Sequence, residues 1–580
     1  MSTQNVGLKE ALDTLQNRCS VIRDLVYSGK TVPWFGSAIS FTRMPGLPVL
    51  ISSLLELLYK NHQSGNANCP YLATTREILG LVPAGSYVHA ETDPKTWDKA
   101  AREKLIDDLV GKYSTIMSLS VSSAAGEVSV RWDLLNLIEV YSDPAVEEDA
   151  EHRFIALLVR EGVWPQSVTT NWDGLIERAY EGFSDGIAPD LFTVASNADL
   201  ETNGQHSSHL FKIHGCAKKA RVDSTNYKPY MVATELEIGE WVDREQTRSI
   251  REAVRTLIRT KTILFIGLSG QDFNLKLQAI AASNRSHHYT PSSPKIAFAT
   301  ATISPDHRTF LAAFYTEDGF NEQKVAICEQ AAVPLYAKPL LGALWIDLLV
   351  SKCRLVLNRA SDLRLSSKSE TERAIEQINA AVITAFEAQV NAGGLDEAWR
   401  WLSRSIPPFI SRCITIFRDQ KPLHSSCSYS PLIPGDLSST GADSNLPLMR
   451  FHWLLWALGL IVAGSRAGRW QIMACLNGSS NLSPLSIELG GHLRPLYLVN
   501  DHIQGKVKCM NNGLLQESTI GDSIIVYPYD CRPNRVSRSP RSTFRFRSAA
   551  DEPREIWLGD LYHESDSDED ALEALALEIA

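Results

Sequence analysis

Thr262-Ile263-Leu264-Phe265-Ile266-Gly267 is the stretch on which the fold reading turns. A β-branched threonine followed by four apolar residues, with no polar alternation, suits a strand buried on both faces. The closing glycine permits a tight exit from that strand. A helically spaced segment, Ile250 to Arg259, precedes it. Working outward, further strands are expected at Ser167 to Thr170, Leu210 to Ile213, Lys295 to Thr300 and Val333 to Tyr336, and a short run, Thr31 to Phe35, leads into Gly36. Helices are expected at Val6 to Tyr27, Val49 to Tyr59, His152 to Glu161 and Gly174 to Tyr180. Strands alternating with helices predict an α/β fold, a parallel sheet flanked by helices. In such sheets ligands bind beyond the carboxyl ends of the strands, and that is where polar residues repay attention.

The chain has 580 residues, 44% hydrophobic and 21% charged, with a net charge of -10. This is an ordinary globular composition, long enough for several domains, and it excludes global disorder. The negative balance gives no whole-chain argument for nucleic-acid or membrane-surface binding. The ten cysteines at 19, 69, 216, 328, 353, 413, 427, 475, 509 and 531 are scattered, and no two are two residues apart. No paired thiolates suggest a structural zinc site, so no metal is expected. With no apolar leader between Met1 and Gln16, the expected location is the cytoplasm. The apolar run Phe451 to Ala463 is thirteen residues long, too short to span a bilayer, and reads as a buried helix.

Composition shifts at Ser361 to Thr371, a linker or helix start. This suggests residues 1–360 as one domain, 371–530 as a second, mainly helical or mixed C-terminal domain, and 531–580 as a charged flexible tail. Helices are expected at Glu372 to Ala392 and Asp396 to Ser405, a loop over 422–447, and strands at Leu496 to Val499 and Ser523 to Tyr527. The tail carries six arginines between Arg532 and Arg547, then the acidic run Glu564-Ser565-Asp566-Ser567-Asp568-Glu569-Asp570. Such blocks are commonly solvated, although the arginines offer one place where nucleic acid or a partner could dock.

Four strand or loop ends hold the residues that a nucleotide pocket requires. Gly36-Ser37-Ala38-Ile39-Ser40 lets backbone approach a phosphate, with Gly36, Ser37 and Ser40 as candidate ligands. Thr170-Asn171-Trp172-Asp173 places a carboxamide and a carboxylate at a strand tip, where they could meet ribose hydroxyls or cap a helix. Lys212-Ile213-His214-Gly215 ends a strand on an imidazole suited to general base work near neutral pH, or to a structural hydrogen bond. Gly267-Leu268-Ser269-Gly270-Gln271-Asp272-Phe273-Asn274 is a polar loop suited to adenosine or ribose through Gly267, Ser269 and Asp272. None of the four is decisive alone.

Their order along one sheet resembles the bacterial sirtuin-like NADase family, effectors of anti-phage defence. Gly36 to Ser40 with Pro45-Gly46-Leu47-Pro48 is similar to the family's first glycine loop. Thr170-Asn171-Trp172-Asp173, His214-Gly215 and Gly267-x-Ser269-x-x-Asp272-x-Asn274 are similar to its three later elements. The resemblance covers roughly residues 20–350. It implies a sirtuin-like Rossmann-type sheet and NAD+ as substrate, cleaved to nicotinamide and ADP-ribose. It further implies that Asn171 positions ribose and water, His214 is the general base towards a ribose hydroxyl or the water, and Asp173 holds the local hydrogen-bond geometry or the nicotinamide amide. Two departures stand out. Cys216 is not followed by the cysteine pairs of sirtuin deacylases, which favours hydrolysis over deacylation or ADP-ribosyl transfer. Ser37-Ala38 replaces the usual small-glycine pair. A non-catalytic NAD or ADP-ribose sensor is the alternative from another class. Family habit implies regulation by homo-oligomer assembly or by a partner, a HerA-like ATPase or a short Argonaute protein, without direct membrane contact.

Overall fold

The computed structural model describes residues 6–62, 66, 68–83, 90–123, 126–184, 191–201, 208–241, 243–268, 290–291, 294–315, 317–417, 429, 431, 451–475, 483–500, 507, 510, 522–529 and 553–579. Its centre is a seven-stranded sheet in the spatial order β5-β6-β4-β1-β7-β8-β9. These strands are β1 (Thr31–Phe35), β4 (Gln166–Thr169), β5 (Leu191–Val194), β6 (Ser208–Lys212), β7 (Thr262–Ile266), β8 (Ile296–Ala299) and β9 (Ala332–Val333). Every pair in this sheet is parallel. A separate two-stranded hairpin joins β2 (Ser120–Ser123) to β3 (Gly126–Ser129).

The uninterrupted apolar reading of β7 has a direct structural cause. Ile263 and Phe265 face one core with Trp34, Phe298 and Val254, whereas Leu264 and Ile266 face another with Phe35 and Ala297. Both faces are covered, so the run from Ile263 to Ile266 is apolar throughout. The helix Arg248–Thr260, amphipathic as expected, covers the first face through Ile250, Val254 and Leu257. On the other face lie the helices Leu8–Asn17, Ser20–Tyr27, Ala150–Arg160 and Ala337–Arg359. The segment expected as a single N-terminal helix is thus two, divided at Arg18-Cys19. Gly29, at φ 63°, ends the second and turns the chain into β1.

The region after residue 360 shares a core with this sheet. Trp345 and Phe154 pack together 6.1 Å apart, and Phe154 meets Trp399 edge-on at 6.2 Å. The helices Leu365–Gly393, Leu395–Phe417 and Phe451–Arg466 extend that core. Of the two readings of residues 361–371, linker or helix start, the structure shows the helix start: the chain is helical from Leu365, with Ser367 and Thr371 buried. The helix expected to stop near Ser405 runs to Phe417 through Pro407 and Pro408. Among the described residues, no helix is long and apolar enough to cross a membrane.

A second sheet follows in the order β10-β11-β12-β13-β14. Its strands are β10 (Gln471–Ala474), β11 (Leu485–Leu489), β12 (His492–Leu498), β13 (Ile524–Tyr527) and β14 (Arg554–Trp557). The acidic end, expected as flexible tail, supplies β14 and the helices Leu558–Glu564 and Asp568–Ile579. Ala571, Leu575 and Ile579 are buried on one helical face. The Ser567 hydroxyl accepts the Asp570 N–H at 3.2 Å, and the carboxylates of Asp568, Glu569 and Asp570 lie in the first turn. Acidic residues there complement the positive helix start, so the charge run nucleates a helix. The loop expected at 422–447, apart from Tyr429 and Pro431, and the six arginines from Arg532 to Arg547 lie outside the described residues.

Candidate functional site

Strand register brings the motif ends to one level. Phe35 is the register partner of both Thr169 and Ile266, and Thr169 is the partner of Lys212. Gly36, Thr170, Ile213 and Gly267 therefore all sit one residue beyond the same row. Asn171 and His214 each lie two beyond it, just past the carboxyl ends of the neighbouring strands β4 and β6. The chain leaves β1 towards β4 on one side and reaches β7 on the other, so the crevice between them is the switch point of the sheet.

The two glycines at this crevice touch each other. The Gly36 N–H donates to Ile266 O at 2.9 Å and the Ala38 N–H to Gly267 O at 3.1 Å. A Cβ on Gly36 would lie 2.5 Å from Gly267 O, and Gly267 itself holds φ at 75°. Close backbone approach is what both glycines provide. Ser37 and Ala38 are exposed above this contact, whereas Ser40 is buried. The Ala38 methyl group accordingly lies in solvent. Ser269 and Asp272 lie outside the described residues.

Ser40 is the hub of the polar cluster. Its Oγ lies 3.0 Å from Asp173 Oδ2, 3.1 Å from His152 Nε2 and 3.2 Å from Asn171 Nδ2. The direction of each bond follows by elimination. His152 Nδ1 accepts the Asp149 N–H at 3.1 Å, and a backbone N–H can only donate. Burial lowers the His152 pKa and keeps the ring neutral, so its single proton sits on Nε2 and points to Ser40. The Asp173 carboxylate accepts the one hydroxyl proton of Ser40. Ser40 then has only lone pairs left for Asn171, which must turn its NH2 towards it. The Asn171 amide is fixed, and its Oδ1 is buried with no hydrogen-bond partner among the described residues.

Around this hub, Asp173 also accepts the Leu175 N–H at 3.1 Å through Oδ1, starting the helix Leu175–Gly182. The local structural reading of Asp173, a side-chain bond to backbone at the start of this helix, is thus present. Lys212, fully enclosed, donates to the Asp173 carbonyl, and to Glu177 Oε1 at 3.0 Å. Burial opposes its charge, but the neighbouring Cys216, Glu177 and Asp173 more than offset that and raise its pKa. Thr170, half-buried, donates its N–H to Phe35 O at 3.2 Å. His214 is 8% exposed, and its carbonyl receives the Val232 N–H at 3.1 Å. Gly215, at φ 90°, carries the chain away, where a Cβ would lie 2.8 Å from Met231 Sδ. Trp172 packs edge-on against Tyr141 at 5.3 Å. The Tyr141 hydroxyl donates to Pro45 O at 2.8 Å, and burial, with the charge of Asp173, pushes its pKa up to about 12.

His152 was not among the residues singled out from sequence. It lies within the predicted helix 152–161, and its one local signal is the spacing Asp149-x-x-His152 ahead of an apolar run. That spacing is a capping box, and both of its bonds are present. Among the described residues, no group of three or more His, Cys, Asp or Glu is placed to hold a metal ion.

Residues 165–317 match the family model of the SIR2-like domain. The SIR2-like match includes Asn171, Asp173, His214 and Gly267, and accords with the Rossmann-type sheet. It fits NAD-dependent chemistry in general. The first glycine loop, Ser40 and His152 lie before it in the chain, joined to it through β1 and the Ser40 cluster. No curated protein matches the chain.

Proposed function

We propose that this protein hydrolyses NAD+ to nicotinamide and ADP-ribose. The observation that carries the reading is the fixed Oδ1 of Asn171, which has no partner among the described residues, at the carboxyl end of a SIR2-like sheet. An unsatisfied buried acceptor costs about 1–3 kcal/mol, which a ligand hydroxyl or an ordered water would recover. A ribose hydroxyl and an attacking water are both donors of that kind. Gly36, Ser37, Thr170 and Gly267 border the same crevice and suit the nucleotide's phosphates and ribose.

In the proposed reaction the bond between ribose C1′ and the nicotinamide nitrogen breaks, and its electron pair leaves with nicotinamide. Water oxygen bonds to C1′, and the proton released passes to neutral His214 as general base. Asn171 orients the ribose and the water. Asp173, through Ser40, keeps the Asn171 amide in the accepting orientation. The absence of paired cysteines after Cys216 in the sequence favours water over a protein substrate as acceptor.

Following the family resemblance, the proposal extends to an effector of anti-phage abortive infection, with the C-terminal region regulating through self-assembly or a HerA-like or Argonaute-like partner. The deciding experiment incubates purified protein with NAD+ and quantifies free nicotinamide. Release by the native chain that falls at least 100-fold in Asn171→Ala and His214→Ala is expected. Tight NAD+ binding with no turnover would instead establish a sensor. For the wider role, NAD+ levels are followed after phage challenge in cells carrying the native or the Asn171→Ala chain. Equal NAD+ depletion in both would remove the effector reading.

A further inference from the structure

Asp149 ties the site to the C-terminal helices. Its side chain is completely buried, yet it begins the helix Ala150–Arg160 and makes charged contacts from three directions. Arg400, from the helix Leu395–Phe417, donates through Nε to Oδ1 at 3.0 Å and through Nη2 to Oδ2 at 3.4 Å. Lys338, from the helix Ala337–Arg359, lies 3.7 Å from Oδ2. The third direction is the loop just after Ser40, where the Thr42 hydroxyl donates at 3.0 Å and Arg43 lies 3.6 Å away. Burial alone would raise the Asp149 pKa, but the Arg400 hydrogen bonds, Lys338, the Ala150 N–H and Thr42 hold it well below the usual carboxylate range.

We propose that Arg400 is a positioning residue for the site, acting through Asp149, His152 and Ser40. The Asp149 backbone N–H selects the His152 tautomer, and that tautomer aims Nε2–H at Ser40, which in turn orients Asn171. Without its bidentate cation this wholly buried carboxylate keeps only the longer charged contacts to Lys338 and Arg43, and it takes up a proton or turns towards water. Either change loosens the capping box and releases the His152 ring. The residues of the SIR2-like match therefore hold their geometry only while a helix outside it is docked. Anything that shifts the helix Leu395–Phe417 would reach Asn171 by this route, a physical handle for regulation by assembly. The inference rests on the proposed NAD+ hydrolysis for its kinetic readout but not for its spectroscopic one.

The test compares Arg400→Ala and Arg400→Lys with Arg404→Ala in the full chain. Arg404 pairs with Glu147 at 3.7 Å on the surface and serves as control. The expected result is a kcat at least 10-fold lower in Arg400→Ala, with KM within twofold. Arg400→Lys and Arg404→Ala should stay within threefold of native. Should Arg400→Ala not fold, Arg400→Gln takes its place. An Arg400→Ala kcat within twofold of native, or an Arg400→Lys as impaired as Arg400→Ala, overturns the proposal. If the native chain releases no nicotinamide, hydrolysis alone has failed, and histidine 15N spectra decide. The His152 signal, assigned by its loss in His152→Asn, should show the Nε2–H tautomer in the native chain and lose it in Arg400→Ala. An unchanged signal overturns the proposal.

Discussion

Ser40 Oγ and His152 Nε2 lie 3.1 Å apart although 112 residues separate them in the chain. Their contact joins the first glycine loop to the start of the helix that leads into β4. It also completes the valence of the hydroxyl, which donates once and accepts twice. A hydroxyl in that state cannot be replaced without leaving three buried groups unsatisfied.

Ser40→Ala should therefore lower kcat for NAD+ hydrolysis at least 100-fold and cost about 2–3 kcal/mol of stability. His152→Ala should reduce kcat comparably. The double variant should be little worse than either single one, because both act on the Asn171 amide. A double-mutant cycle in kcat and in urea denaturation measures this, and additive losses would contradict a shared route.

Gly36→Ala should be among the most damaging small substitutions in the chain. Its Cβ would approach Gly267 O to 2.5 Å, and backbone cannot yield as a side-chain tip does. The expectation is a loss of at least about 3 kcal/mol, at the upper end for overpacking, or failure to fold. Gly46→Ala, whose nearest neighbour lies at 3.6 Å, should be tolerated. Melting temperatures of the two variants make the comparison.

Lys352→Met should cost about 3–5 kcal/mol, since it strands the carboxylate of Glu161 in the core. Lys352 Nζ donates to Glu161 Oε2 and to the Glu161 carbonyl, both at 2.7 Å, and the Tyr429 hydroxyl donates to the same carboxylate. Urea midpoints provide the measurement. Replacing both partners, with Lys352→Met and Glu161→Leu, should recover part of the loss.

Glu151 makes the fold sensitive to pH. Burial pushes its pKa up from 4.5 to about 7, against the opposing charge of Lys338 and with help from Asp149 and Asp396. A carboxyl with a raised folded pKa binds more protons folded than unfolded. Its contribution to stability therefore falls as pH rises from 4.5 to 7, by up to about 3 kcal/mol. Denaturation at pH 5 and pH 8 should show Glu151→Gln with a flatter profile than the native chain across that window.

The central sheet was legible because its strands are short, apolar on both faces and separated by amphipathic helices, as Thr262 to Ile266 illustrates. The levels of Gly36, Asn171, His214 and Gly267 followed from the rule that parallel sheets bind at their carboxyl ends. Less legible was whatever depends on contacts distant in sequence. His152 resembles any helical residue until Asp149 and Ser40 are placed beside it. The break at Arg18-Cys19 carries no glycine or proline to announce it. The C-terminal acidic helix was hidden by its own charge, although Ala571, Leu575 and Ile579 at four-residue spacing signal a buried face. Regional charge outweighed local periodicity there, and periodicity was the better guide.

Strand β14, drawn from the last thirty residues, is hydrogen-bonded in parallel to β13 along its whole length. Proteolysis between residues 527 and 554 followed by loss of the terminal piece would not shorten a tail. It would bare the amides and carbonyls of Ile524 to Tyr527, four buried apolar residues, as a ready template for another molecule's strand. The acidic terminus thus doubles as a guard against sticky self-association, and a clipped protein should precipitate before it unfolds.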